Sequence, residues 1–189
     1  ITANMPDNLK LAVELAAWCS LRAGEVLGLQ RRDLRNLNTP DKATLSIDRQ
    51  WLSKATPPDY AAPKEGSFRT VAIPAALVPK IKAHLDAHTG PGQTAPLFPS
   101  TQNPKRPTSY NVLQKTWNAA REPVRPVTFH SLRHFGLTQY AQLGATPTET
   151  MRRGGHRDVK AAQGYQHSSQ DRDRELTALL SKAIESEDQ

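Results

Sequence analysis

Four side chains with reactive groups follow one another in the second half of the chain. His130 and Arg133 are three residues apart, His156 comes twenty-three residues later, and Tyr165 follows nine residues after that. A tyrosine oxygen is a nucleophile, a guanidinium matches phosphate oxygens with paired donors, and an imidazole exchanges protons near neutral pH. A phosphodiester resists attack because its charge repels nucleophiles and its leaving group is poor. These groups together predict attack on a phosphodiester without a metal ion.

Two further cations lie upstream of this stretch. Arg22 follows a helix-like segment, and Glu25, three residues later, is close enough to orient it. Lys64 precedes a strand-like segment and can give a proton to a leaving oxygen. Each residue alone has an ordinary structural explanation, such as a surface arginine over a helix end or a loop lysine. The prediction of chemistry therefore depends on the whole set.

Metal-dependent hydrolysis is the competing chemistry. The two histidines have no cysteine nearby and no tight acidic cluster at ligand spacing. A two-metal nuclease needs several convergent carboxylates, and the stretch from His130 to Tyr165 offers only Glu149 and Asp158. We therefore predict no metal and no other cofactor, and we expect Cys19 in the core rather than as a nucleophile.

The composition favours a polyanionic partner. Lysines and arginines number 25 against 18 acidic residues, which gives a formal net charge of +7, and a basic balance is typical of proteins that bind nucleic acid. A length of 189 residues suits one domain. The sequence contains no apolar run of membrane-spanning length, no signal peptide pattern and one cysteine. We expect a soluble cytoplasmic protein, and the start at Ile1 predicts a longer parent protein.

The elements that must position these groups are mainly helical. Two alternating segments, 44–52 and 67–73, predict a small antiparallel sheet of two or three strands. Apolar spacing and capping residues predict helices at 8–21, 25–29, 74–88, 108–121, 128–143, 146–155, 158–165 and 169–184. The expected fold class is mainly α with a small antiparallel β-sheet (α+β). In the helix over 128–143, the predicted buried side is formed by Leu132, Phe135, Leu137 and Tyr140.

Taken in order, these segments resemble the catalytic domain of the tyrosine recombinases, the phage integrase family. The motifs that carry the resemblance are LRAGEVLGL at 21–29, PK at 63–64, RTV at 69–71, HSLRH at 130–134, GH at 155–156 and YQH at 165–167. Each motif alone is weak, but all of them in this order are highly specific. The resemblance covers nearly the whole chain and implies the fold class expected above.

The resemblance implies that the chain is a site-specific recombinase that cuts and rejoins double-stranded DNA. Tyr165 is then the nucleophile that forms a 3′-phosphotyrosyl bond and releases a free 5′ hydroxyl. Arg22 and Arg133 stabilise the transition state, and Glu25 supports Arg22. The energy of the broken bond is kept in the protein–DNA link, so that strand exchange needs neither ATP nor a metal.

The resemblance also assigns the proton transfers. Lys64 is implied as the general acid to the leaving oxygen, His130 assists proton transfer at the tyrosine, and His156 binds the phosphate. Lys54 is the alternative to Lys64, because the interval from the first arginine is long and an acid, Glu65, follows Lys64 where the family commonly has threonine. Which lysine is the general acid therefore stays open at this stage.

Further expectations concern partners and domains. We expect phosphate contacts from four basic residues close to the site, namely Arg152, Arg153, Arg157 and Lys160. The family implies a homotetramer on DNA, and the state without DNA, a monomer or another form, stays open. We expect the protein inside a bacterial cell, at the nucleoid. Residues 1–189 are expected to form the catalytic domain, without the N-terminal helical domain that closes around DNA in the family. Two alternatives are a DNA topoisomerase of related chemistry and a non-catalytic DNA-binding relative.

Overall fold

The computed structural model describes residues 1–64, 67–122 and 127–155. Within these ranges the chain forms six α-helices and five short strands. In chain order they are α1 (Asp7–Trp18), α2 (Ala23–Gly28), β1 (Leu34–Arg35), β2 (Thr44–Ile47), β3 (Gln50–Leu52), β4 (Asp59–Ala61), β5 (Arg69–Ala72), α3 (Val78–His88), α4 (Tyr110–Arg121), α5 (Phe129–Gln142) and α6 (Pro147–Gly154). The predicted fold class, mainly helical with a small antiparallel sheet, is confirmed.

The two helices at the centre of the fold are α1 and α5. Helix α1 is buried on most of its surface, including Leu9, Ala12 and Leu15. It packs directly against the backbone of α5 at Gly136, where a Cβ atom would lie 1.8 Å from the carbonyl oxygen of Ala17. No side chain fits in that space, so glycine is what permits the two helices to approach so closely.

The break between α1 and α2 differs from the prediction. Helix α1 ends at Trp18 rather than near residue 21, because Ser20 adopts a left-handed conformation with φ 59°. The second helix begins at Ala23 rather than at residue 25, so that Gly24 lies inside α2. Arg22 is therefore an extended residue at the start of α2, with φ −76° and ψ 153°, rather than a residue at the end of α1.

The strands form two small sheets instead of one. The three-stranded sheet has the order β1–β2–β5, and all its neighbours are antiparallel. Strands β3 and β4 form a separate hairpin. The predicted continuous strand over 44–52 is thus divided, because β2 pairs with β5 whereas β3 pairs with β4. Alternation in the sequence identified extended backbone but could not identify its partner.

Helices α4, α5 and α6 begin at side-chain caps. Ser109, Thr128 and Thr146 each accept a hydrogen bond from the backbone N–H three residues later. The predicted end of α5 is also confirmed, since Gly144 follows its last turn with φ 102°. The caps were readable from the sequence because they depend only on local geometry.

The buried side of α5 was predicted only in part: Leu137 is buried and Leu132 packs against the core, whereas Tyr140 is half-buried. The buried residues of α5 are Phe129, Arg133, Gly136 and Leu137. Phe135 is exposed and packs against the ring of Trp18 at its edge, with ring centroids 5.3 Å apart. The helix turns Arg133 inward, so that its core-facing surface carries a charge and a glycine beside the apolar Phe129 and Leu137.

The predicted helices over 158–165 and 169–184 lie outside the described residues. In the part of the chain that the structure describes, no helix combines the length and apolar character needed to cross a membrane.

Candidate active site

The carboxylate of Glu25 lies at the centre of the site. It is 1% exposed, and its Oε2 accepts a hydrogen bond from the backbone N–H of Arg22 at 2.8 Å. The Nη1 of Arg22 donates to Oε1 at 2.9 Å and also to the hydroxyl of Ser67 at 3.2 Å. The predicted support of Arg22 by Glu25 is therefore a pair of contacts to both the backbone and the guanidinium.

A second arginine, Arg69, holds the same carboxylate. Its Nη1 donates to Oε1 of Glu25 at 3.1 Å and its Nη2 donates to Oε2 at 2.8 Å. This two-pronged geometry is the strongest form of an arginine–carboxylate pair. The side chain of Arg69 is only 4% exposed, so the interaction is screened much less than that of an exposed pair.

Burial and charge act in opposite directions on Glu25. Burial alone would raise the pKa of its carboxyl, but the hydrogen bonds and positive charges of Arg69 and Arg22 outweigh it and hold the pKa below its ordinary value of 4.5. Glu25 is therefore ionised at neutral pH and fixes the arginines around it.

Arg133 reaches the same cluster from α5. Its side chain is 1% exposed, and its Nη1 lies 3.9 Å from Oε2 of Glu25. The same Nη1 donates to the carbonyl of Ser20 at 2.7 Å, and Nη2 donates to the carbonyl of Gly154. Among the described residues, Arg22 is the most accessible arginine of the cluster, with 22% of its side chain exposed.

His130 lies one turn before Arg133, at the exposed first turn of α5. Its ring meets the ring of His134 edge-on, with centroids 4.7 Å apart. Partial burial lowers the pKa of His130, and the nearby charges of His134, Arg133 and Arg22 lower it further against the opposing effect of Glu25. A lowered pKa keeps the imidazole neutral at pH 7, which is the form that accepts a proton.

The end of α6 meets the arginine cluster at Gly155. This residue is left-handed, with φ 63°, and a Cβ atom there would lie 2.9 Å from both Nη1 of Arg69 and Cβ of Ser67. Glycine is thus required both by the backbone conformation and by the closeness of Arg69. His156 follows Gly155 directly in the sequence but lies outside the described residues, as do Tyr165, Arg157 and Lys160.

The two candidate lysines have different surroundings. Lys64 is exposed and lies three residues before Ser67, whose hydroxyl accepts from Arg22. Lys54 lies in the turn between β3 and β4, with its Nζ 5.3 Å from the centre of the Tyr110 ring. The neighbouring Ser53 accepts a hydrogen bond from the backbone N–H of Tyr110, so that this turn is held against the start of α4.

The two described residues predicted to contact DNA also differ. Arg152 is exposed on α6. Arg153 donates to the carbonyl of Trp18 at 2.6 Å, and its guanidinium lies 4.7 Å from the centre of the Tyr140 ring. Its contacts with the described residues therefore hold α6 against α1 and α5.

Cys19 lies in the core, as predicted. It is fully buried, and burial raises the pKa of its thiol to about 12, so the reactive thiolate is absent at neutral pH. Within the described ranges, no group of three or more histidine, cysteine or acidic side chains is placed to hold a metal ion.

The sequence pattern placed Arg69 only in a strand, whereas the structure places it against Glu25 at the centre of the site. The segment over 67–73 was predicted as a strand, and alternation places Arg69 on the same face as Val71 and Ile73. All three are buried. An arginine at an inward-facing strand position needs a buried partner, and this signal could have identified it.

Comparison with known proteins places this site in a family. The sequence profile of the Phage integrase family matches residues 2–172. The chain is 37% identical over 191 residues to a putative prophage phiRv2 integrase of Mycobacterium tuberculosis, covering 100% of this chain and 50% of that protein. It is 29% identical over 181 residues to the integrase of Mycobacterium phage FRAT1, covering 93% of this chain and 53% of that protein. The chain thus spans about half the length of these relatives.

Solved structures share the fold at lower identity. The Tn1549 transposon integrase in complex with transposon right end DNA superposes with a TM-score of 0.68 at 20% identity, over 92% of this chain and 59% of that chain. The XerH site-specific recombinase bound to its difH substrate gives a TM-score of 0.66 at 18% identity, over 92% of this chain and 47% of that chain. With the family profile matching almost the whole sequence, the chain belongs to the phage integrase family.

Proposed function

We propose that this chain is the catalytic domain of a site-specific tyrosine recombinase that cuts and rejoins double-stranded DNA through a 3′-phosphotyrosyl intermediate. The observation that carries the proposal is the buried carboxylate of Glu25, which ties Arg22 to the strand β5 and lies within 3.9 Å of Arg133. Two guanidinium groups held at one point match the non-bridging oxygens of a phosphodiester. Family membership and the integrase relatives support the same activity.

In the proposed first step, the oxygen of Tyr165 attacks the phosphorus and the bond from phosphorus to the 5′ oxygen breaks. The tyrosine proton passes to neutral His130, and Lys64 protonates the leaving 5′ oxygen. Arg22 and Arg133, with His156, stabilise the charge that develops on the phosphate. In the second step, a 5′ hydroxyl attacks the phosphotyrosyl bond and the same proton transfers run in reverse, which joins the strands.

Lys64 is the general acid in this proposal. Its support is its closeness in sequence to Ser67, whose hydroxyl accepts from Arg22. The Lys54 ammonium, by contrast, lies over the ring of Tyr110 at the start of α4. A DNA substrate with sulfur in place of the leaving oxygen separates the two, since a thiolate leaves without a proton. We expect it to restore cleavage in Lys64→Ala, while Lys54→Ala cleaves both substrates as the wild type does.

The expected partner is a DNA duplex, and the expected assembly on it is a homotetramer. The net charge of +7 and the exposed Arg152 support binding to the phosphate backbone. DNA-bound structures of the Tn1549 integrase and of XerH lend further support. Light scattering with and without the duplex tests the assembly, and an unchanged mass on adding DNA would contradict the tetramer.

The decisive experiment is capture of the covalent intermediate. A pool of nicked duplexes with randomised sequence is incubated with the protein, and adducts that survive detergent are isolated and sequenced. We expect the wild type to form an adduct through Tyr165 and Tyr165→Phe to form none. Tyr140→Phe is the matched control, because Tyr140 packs on Arg153 rather than in the arginine cluster.

Each outcome of this experiment is informative. A wild type that binds duplex but forms no adduct would indicate a non-catalytic DNA-binding relative. An adduct that persists in Tyr165→Phe would remove Tyr165 from the mechanism. Exchange of strands between two duplexes, rather than relaxation of supercoils alone, distinguishes a recombinase from a topoisomerase.

A further inference from the structure

Arg69 donates hydrogen bonds from all three of its guanidinium nitrogens inside the protein. Two nitrogens donate to the oxygens of Glu25, and Nη1 also donates to the carbonyl of Ser67 at 3.1 Å. Its Nε donates to the carbonyl of Arg153 at 2.9 Å. The side chain of Arg69 is only 4% exposed, whereas that of Arg22 is 22% exposed. We therefore expect Arg69 to act on the site through other residues rather than by contact with a substrate.

The contacts of Arg69 join three separate elements. Strand β5 contributes Arg69 itself, α2 contributes Glu25, and the last turn of α6 contributes the carbonyl of Arg153. Through Glu25 the contact extends to both the backbone and the guanidinium of Arg22. At the end of α6, Arg69 also lies next to Gly155, where a Cβ atom would be only 2.9 Å from its Nη1.

We propose that Arg69 is a positioning residue of this site, which fixes Arg22 through Glu25 and fixes the end of α6 from which His156 follows. This inference rests on the proposed function. A planar fork is needed because one side chain must donate to both carboxylate oxygens of Glu25 and to the backbone carbonyls of Ser67 and Arg153. Lysine has the same charge but a single donor nitrogen, so it cannot make the same set of contacts.

The test is a set of variants in single-turnover cleavage of a nicked duplex selected with the wild type. The variants are Arg69→Gln, Arg69→Lys, Glu25→Gln and the double variant with glutamine at both positions. Arg49→Gln is the matched control, because Arg49 makes a largely buried ion pair with Asp33 at 2.5 Å instead of with Glu25. The measured quantities are the rate constant, the final amount of adduct and the duplex concentration giving half-saturation.

A misplaced Arg22 slows the reaction of every molecule, whereas partial unfolding lowers the amount of adduct without slowing the molecules that remain folded. We expect Arg69→Gln to lower the rate constant by about 10-fold or more, because misplacement of a catalytic group by about 1 Å has effects of this size. The amount of adduct and the half-saturating duplex concentration stay within about two-fold of the wild type. Arg69→Lys recovers only part of the rate, and Arg49→Gln matches the wild type.

The double variant tests whether Arg69 acts through Glu25. If it does, the double variant is no slower than the slower of the two single variants. Rate losses that multiply, an unchanged rate in Arg69→Gln, or full recovery in Arg69→Lys would each overturn the inference while leaving the proposed function intact. A wild type without a Tyr165-dependent adduct would instead overturn the proposed function.

Discussion

At the scale of single residues, the proposed mechanism depends on how neighbouring charges set the protonation of one histidine. In that mechanism His130 must be neutral to accept a proton, and partial burial together with the charge on His134, Arg133 and Arg22 lowers its pKa. The arginines are permanently charged, so they act at every pH at which the protein folds. Of these three neighbours, His134 is the one that is not an arginine of the cluster.

We predict that His134→Asn raises the pKa of His130, because it removes the positive charge of the His134 ring. The centres of the two rings are 4.7 Å apart. Nuclear magnetic resonance of the imidazole protons as a function of pH measures the pKa of His130 directly. Burial and the arginines still act in the variant, so the pKa of His130 stays below that of an exposed histidine. An unchanged or lowered pKa would show that His134 does not act on His130 through its charge.

A pair of histidines elsewhere in the chain supplies the control. His84 and His88 lie on α3 with ring centroids 5.1 Å apart, and the pKa of His84 is lowered by burial and, to a lesser extent, by His88. We expect His88→Asn to raise the pKa of His84 and to leave that of His130 unchanged. The two variants therefore act as mutual controls within one experiment.

At the scale of elements, the glycine with the least room for a side chain among those described is Gly136, where α1 and α5 cross. In a helix interior, alanine is favoured over glycine by about 1 kcal/mol, so Gly136→Ala would stabilise α5 in isolation. In the protein, the added Cβ would lie 1.8 Å from the carbonyl oxygen of Ala17. Overpacking of this kind costs about 1–3 kcal/mol and sometimes more, and the rigid backbone atom places this site at the upper end.

We therefore predict that Gly136→Ala lowers the free energy of unfolding by at least about 2 kcal/mol, measured by urea denaturation. Gly92→Ala is the matched control, because no atom lies within 4 Å of a Cβ at Gly92. That control should change the free energy of unfolding by less than about 1 kcal/mol. Any change should be an increase, because alanine restricts the unfolded chain more than glycine does. Equal effects of the two substitutions would contradict the close crossing of the helices.

Local signals predicted the elements better than their partners. The caps at Thr128 and Thr146 were predictable, since each depends on a few adjacent residues. The division of segment 44–52 between two sheets was not, because strand pairing is decided by residues distant in sequence. The same difference between local and distant information applies to the site. The motifs predicted Arg22, Glu25 and Arg133, whereas the link through Arg69 became visible only when β5, α2 and α6 were placed together.

At the scale of the whole molecule, the arginine cluster couples the fold to pH. Glu25 joins segments that are far apart in sequence, because Arg69 is 44 residues away and belongs to another element. A carboxylate whose pKa is lower in the folded chain than in the unfolded chain binds fewer protons when folded. Its contribution to stability is therefore fully present above its ordinary pKa of 4.5 and is lost as pH falls through the lower, folded value. The pKa of His130 is also lower in the folded chain than its ordinary value of 6.5. The unfolded chain therefore binds more protons below pH 6.5, which lowers the free energy of unfolding there.

This argument predicts how Glu25→Gln behaves with pH. At about pH 7 the variant should be less stable than the wild type by about 3 kcal/mol, since removing one partner leaves buried arginines without their carboxylate. As pH falls below 4.5 the wild type loses its advantage, so that the two free energies of unfolding converge. Glu14→Gln is the control, because Glu14 pairs with Lys80, whose side chain is 57% exposed, and such pairs contribute about 1 kcal/mol or less. A difference between Glu25→Gln and the wild type that stayed constant with pH would show that Glu25 stabilises the fold by packing rather than by its charge.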